Sequence, residues 1–139
     1  MHWKILHGLD GSEGSFIALV EAVQLAKRYN AELHSISVEE VPQYPGAIGE
    51  VVEEKFMANG KFGDAIEKAK QIAKKEGVEV HSHVIVGHEV KTIIEFTKKS
   101  DFDLLVIGFM GHSALYDRVM GSTCQSLVRL APCSVLVVK

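Results

Sequence analysis

The stretch Leu104-Leu105-Val106-Ile107-Gly108-Phe109-Met110-Gly111 decides how this chain is read. Its four apolar residues do not alternate with polar ones, which marks a strand covered on both faces, as in a parallel sheet. The run opens into two glycines, and after nine intervening residues Gly111 is followed by Gly121-Ser122-Thr123 and then by an amphipathic segment. A strand end, glycines that admit a ligand to backbone amides, and two hydroxyls where a helix begins together favour phosphate. The first N–H groups of a helix lack intrahelical partners, and the positive end of its dipole faces the anion. The expected ligand is a nucleotide.

On either side of this stretch, strand and helix patterns alternate. Ile5 to Leu9 reads as a strand and Asp10-Gly11-Ser12 as the turn after it. Ala18, Ala22, Leu25, Ala26 and Tyr29 then recur on one helical face, and Asn30 is a stop signal. Leu33 to Val38 reads as a second strand. From Glu39 to Gly46 two prolines and a glycine exclude regular structure. Phe62, Ala65, Ile66, Ala69, Ile72 and Ala73 form a second helical stripe ended by Gly77. Val78 to Val86 reads as a third strand, Val90, Ile93, Ile94 and Thr97 as a third helix, and Leu104 to Ile107 as a fourth strand. Cys124, Leu127, Val128 and Ala131 give a fourth helix its buried face, and Val135 to Val138 is the last strand. The order βαβαβαβαβ predicts an α/β fold, with a doubly wound five-stranded parallel sheet, right-handed crossovers and helices on both faces.

The 139 residues suit a single domain with an adequate core. A hydrophobic content of 47% with 24% charged residues is that of an ordinary globular protein. The net charge of −3 supplies no basic field for DNA or RNA, so no nucleic-acid partner is expected. The first eight residues are too short and interrupted for a signal peptide, and no run approaches the ~18 apolar residues of a membrane span. The chain is therefore read as cytoplasmic, without a membrane partner. Cys124 and Cys133 lack metal or disulfide spacing and read as buried thiols.

The spacing Gly-x2-Gly-x9-Gly-Ser, with Asp10-Gly11-Ser12 after the first strand and Ala131-Pro132-Cys133-Ser134-Val135-Leu136-Val137-Val138 at the end, resembles the universal stress protein family. The resemblance spans almost the whole chain, which is read as one domain over residues 1–139. It implies a single domain of the adenine nucleotide alpha hydrolase-like type, strand order 3-2-1-4-5, and ATP, or AMP or ADP, as ligand. Carried over residue by residue, it places Gly108 by the ribose and α-phosphate, with Gly111, His112, Gly121, Ser122 and Thr123 around the phosphates. Val38 and Ile107 would flank the adenine. Leu9 and Asp10 would form the crevice floor, with Asp10 accepting hydrogen bonds from the nucleoside or contacting a nucleotide-bound Mg²⁺. Many relatives carry a small hydroxyl residue and then a basic one between the first two glycines, where Phe109 and Met110 stand here. That removes a side-chain phosphate contact. The family also implies a homodimer, formed through the apolar edge strand Val135–Val138, whose open hydrogen-bonding groups need cover.

No Walker A motif and no Gly-x-Gly-x-x-Gly after the first strand occur, so phosphate recognition falls to backbone amides and hydroxyls. A nucleotide-binding stress-response or signalling module with slow or no hydrolysis follows, with no catalytic residue assigned. Two other classes compete with it. Gly8-Leu9-Asp10-Gly11-Ser12 distantly resembles the pyrophosphate loop of ATP-dependent adenylating enzymes, and a module that acts through protein contacts alone is the third. His81 and His83 share a face of the third strand, and His34 on the second can lie beside them. No carboxylate or cysteine is spaced to join them, so no protein-held metal is expected. Arg118 reads as a solvated or ion-paired arginine.

Overall fold

The computed structural model describes residues 3–40, 62–109 and 120–139. Nine elements alternate along them: β1 (Lys4–Gly8), α1 (Glu13–Tyr29), β2 (Glu32–Glu40), α2 (Gly63–Lys75), β3 (Val80–Gly87), α3 (Glu89–Lys99), β4 (Leu104–Gly108), α4 (Ser122–Leu130) and β5 (Ser134–Val138). All strand pairings are parallel and the order is β3-β2-β1-β4-β5. Strand order reverses between β1 and β4, and a crevice opens at the carboxyl ends of strands there. No described helix is long and apolar enough to cross a membrane.

The sheet separates two cores. Ile5, Leu33, Val80 and Val106 meet Ala18, Leu19, Ala22 and Val23 of α1 and Ala69 and Ala73 of α2 on one face. Leu6, Ile36, Val38, Leu105 and Ile107 meet Ile93 of α3 and Cys124 and Leu127 of α4 on the other. Leu105, Val106 and Ile107 are all buried, as their unalternating run requires of a strand sandwiched between helices.

Helix ends follow local chemistry. Ser12 caps α1 by accepting the Ser15 N–H at 3.2 Å. Asn30 ends it in the left-handed region at φ 52°, and Gly77 follows α2 at φ 72°. Val78 joins that helix stop, its N–H donating to the Ala73 carbonyl at 3.0 Å, so β3 starts at Val80 rather than at Val78. Glu39 and Glu40, expected outside regular structure, extend β2 because Val86 and Gly87 of β3 pair with them. The rest of that irregular segment, residues 41–46, lies outside the described residues.

Two residues expected on buried helix faces are exposed, Tyr29 at 56% and Val128 at 45%. Tyr29 ends α1 beyond the sheet and packs its ring 5.4 Å from Trp3. On α4, Cys124 and Leu127 point inward, and Val128 falls outside the arc they set. Cys124 is buried and Cys133 half-buried, and burial pushes both thiols up.

Candidate functional site

A cleft of about 320 Å³ lies over the switch point between β1 and β4. Its described lining includes Leu9, Asp10, Val38, Ile107, Gly108, Gly121, Ser122 and Thr123, eight of the ten residues singled out from sequence. The other two, Gly111 and His112, lie outside the described residues, as does Arg118.

Each side of the cleft has a local cause. At the end of β1, Asp10 folds the chain back by accepting from Ser12 through Oδ1, at 2.9 Å from the backbone N–H and 2.5 Å from Oγ. Gly11 takes φ 84°, which suits a glycine between them. Asp10 is therefore both a turn-former and part of the cleft. At the end of β4, a Cβ on Gly108 would lie 2.8 Å from the Gly14 carbonyl oxygen. That glycine lets the strand end and the first turn of α1 touch, a structural duty apart from any ligand.

The α4 end is built differently from the α1 end. Gly121 sits at the N-cap in an extended conformation, offers no side-chain acceptor, and the first turn of α4 holds no acidic residue. Its own N–H donates to the Phe109 carbonyl at 3.1 Å, fixing the helix start against the end of β4. The first-turn amides thus have no cap from their own N-cap residue, and Ser122 and Thr123 line the cleft. Val38, Ile36, Ile93 and Ile107 give the cleft an apolar slot on the α3 side.

Sequence reading missed several lining groups. Glu40 and Glu89 come from the end of β2 and the start of α3, and the Glu89 N–H donates to Glu40 Oε1 at 3.3 Å. Their meeting depends on the β2–β3 register, which no local pattern encodes. Ser15 also lines the cleft, and behind it stands His7, fully buried. His7 Nε2 lies 2.7 Å from the Ser15 carbonyl and Nδ1 lies 3.0 Å from Ser35 Oγ. A carbonyl only accepts, so Nε2 carries the proton and the Ser35 hydroxyl donates to Nδ1. Burial holds this imidazole down to about 4, against the opposing pull of the Ser15 hydrogen bond and the Asp10 charge. A neutral His7 thereby ties β1 to β2 and to the first turn of α1.

The whole chain, residues 1–139, matches the model of the universal stress protein family. The chain belongs to that family. It is 32% identical over 143 residues to the universal stress protein MJ0531 of Methanocaldococcus jannaschii, covering 100% of this chain and 83% of that protein. It is 33% identical over 145 residues to the universal stress protein YxiE of Bacillus subtilis, covering 98% of each. Among solved structures, the universal stress protein UspA from Lactobacillus plantarum superposes with a TM-score of 0.84 at 27% identity, covering 99% of this chain and 98% of that one. A universal stress protein in complex with cAMP superposes with a TM-score of 0.77 at 25% identity, covering 99% and 97%. The strand order 3-2-1-4-5 expected of the family is the one observed.

Proposed function

We propose that the cleft binds an adenine nucleotide, ATP or its AMP and ADP relatives, and that the protein is a stress-response or signalling module with slow or no hydrolysis. The observation that carries this reading is the start of α4, whose N-cap is a glycine without a side-chain acceptor and whose first hydroxyl residues line a cleft at the sheet's switch point. Phosphates would take the amides and hydroxyls of Ser122 and Thr123. The apolar slot of Val38 and Ile107 would take the base. The acidic residues Glu40 and Glu89 line the cleft where β2 ends and α3 begins. Asp10, which lines the cleft, would meet a nucleotide-bound Mg²⁺. That a relative at 25% identity is a complex with cAMP supports an adenine ligand.

The described lining supports slow turnover. No lysine or arginine is among the described residues of the cleft, so developing charge on a γ-phosphate would meet amides, hydroxyls and the nucleotide's own Mg²⁺ rather than a cationic side chain of that lining. The test is a thermal-shift titration with ATP and Mg²⁺. Ligand at a hundred times its dissociation constant stabilises the fold by ~2.7 kcal/mol, a rise in Tm on the order of ten degrees. Gly121→Val should abolish that rise while leaving a folded protein. An unchanged rise in the variant would place the phosphates elsewhere.

We also infer a homodimer through β5. This strand forms an edge of the sheet, its residues Val135–Val138 are half-buried, and α4 beside it exposes Val128 and Leu130. Two copies related by a two-fold axis would pair the edges antiparallel and cover these side chains.

A further inference from the structure

At the opposite end of the sheet from the cleft, the amino ends of β2 and β3 gather three imidazoles and a carboxylate. The parallel register sets His34 beside His81 and Ile36 beside His83, so all three histidines share one face. Glu32, two residues before His34 on the same strand, joins them, which corrects the sequence expectation that no carboxylate could. Glu32 Oε1 lies 2.6 Å from His34 Nε2. One ligand atom each from Glu32, His34 and His81 lies within 4.8 Å of the others.

We propose that Glu32, His34 and His81 form a binding site for a divalent transition-metal ion, with His83 positioning His34. The donor set of two imidazoles and one carboxylate is that of zinc sites that keep a further position for water or a partner group. Ligands around such an ion stand ~3.3 Å apart, from metal–ligand bonds of about 2.0 to 2.2 Å at tetrahedral angles. To reach that spacing, side-chain rotation would open the 2.6 Å Glu32–His34 contact and draw in the widest of the three separations, which is no more than 4.8 Å.

The surroundings restrain the rings. His34 packs edge-on to Phe102 with centroids 5.1 Å apart, and His83 packs against Phe96 at 4.8 Å. His34 Nδ1 lies 2.8 Å from His83 Nε2, in nearly parallel ring planes. Without metal, in the neutral tautomer that donates Nε2–H to Glu32, His34 Nδ1 accepts from His83 Nε2–H. When a metal takes the Nε2 lone pair, the His34 proton sits on Nδ1 and donates to His83, so the ring-to-ring bond reverses. His83 moves its own proton to Nδ1, and neither ring changes charge. A metal-bound histidine whose second nitrogen donates to a fixed acceptor is held in the ligating tautomer. The Lys4 ammonium, a cation close to Glu32, is directed to the Ser100 carbonyl at 2.6 Å and over the Phe102 ring.

The test is calorimetric titration of the chelator-stripped full chain with Zn²⁺, paired with Co²⁺ absorption. One equivalent per chain should bind, with the visible bands of a tetrahedral cobalt site. Glu32→Gln and His81→Ala should each weaken binding at least tenfold. His83→Phe should weaken it about tenfold, as loss of an outer hydrogen-bond partner does, and should remove the zinc-induced change in His34 ¹⁵N shifts that reports its tautomer. His88→Ala, on a different element, should change nothing. Thermal melts and ATP response, both expected to be retained, separate loss of metal binding from loss of fold and from failure of the nucleotide reading. Absence of stoichiometric zinc binding to the wild type, or affinity unchanged in both Glu32→Gln and His81→Ala, would overturn the site; if His81→Ala fails to fold, His81→Gln takes its place.

Discussion

Acidification should destabilise this fold through His7. The imidazole is fully buried between β1, β2 and the first turn of α1, and its pKa is held down to about 4 from an ordinary value of 6.5. The unfolded chain therefore binds a proton that the folded chain refuses. Stability supplied by the neutral ring is fully present above about pH 6.5, and is lost as pH falls towards about 4. Integrating the two titrations from about pH 7.5 to about pH 5 gives a loss of ~2 kcal/mol from this one group. His83, also lowered, acts in the same direction, so the contribution has to be isolated by difference. The assay is urea unfolding of the wild type and His7→Gln at both pH values, without nucleotide. Glutamine can still donate to the Ser15 carbonyl but does not titrate. The variant starts less stable, yet its stability should fall by ~2 kcal/mol less across the interval. Equal losses in the two proteins, or an NMR titration of His7 near 6.5 in the folded state, would refute the assignment.

Gly108→Ala should cost ~1 to 3 kcal/mol, because the added methyl meets the backbone of Gly14 at 2.8 Å and β4 and α1 must part; the urea midpoint checks it. Gly63→Ala meets no atom within 4 Å and should be neutral or stabilising by up to ~1 kcal/mol in the same assay. Sedimentation equilibrium should show a dimeric wild type and a shift towards monomer in Val137→Lys, and a wild type monomeric at tens of micromolar would contradict pairing through β5. Single-turnover assays with Mg·ATP should run far below the ~1 to 1000 s⁻¹ of typical enzymes, whereas a fast rate abolished by Asp10→Asn would favour the adenylating alternative.

What sequence reveals here is what is local. The unbroken run Leu104–Ile107 announced a two-sided strand, Asn30 and Gly77 announced helix stops, and both reappear in the fold. The stripes on α1 and α4 gave the direction of burial but not its width, which is why Tyr29 and Val128 were placed inside. The width depends on how far neighbouring elements reach. Contacts set by register were illegible for the same reason. Glu40 meets Glu89, and His34 meets His81, only because β2 and β3 pair without offset at those positions. The Gly108 contact with Gly14 and the His7 contact with Ser35 likewise join segments that no short window contains. The α4 end of the cleft was legible because its signal, glycine followed by hydroxyls at a helix start, is itself local.

Backbone amide NMR of nucleotide-free protein titrated with ATP, AMP and cAMP tests directly whether the cleft binds an adenine nucleotide. Saturable shifts should cluster at Val38, Gly108, Ser122 and Thr123, with those of Ser122 and Thr123 larger for ATP than for cAMP. No saturable shift at millimolar nucleotide, or shifts confined to a surface away from the cleft, would contradict it.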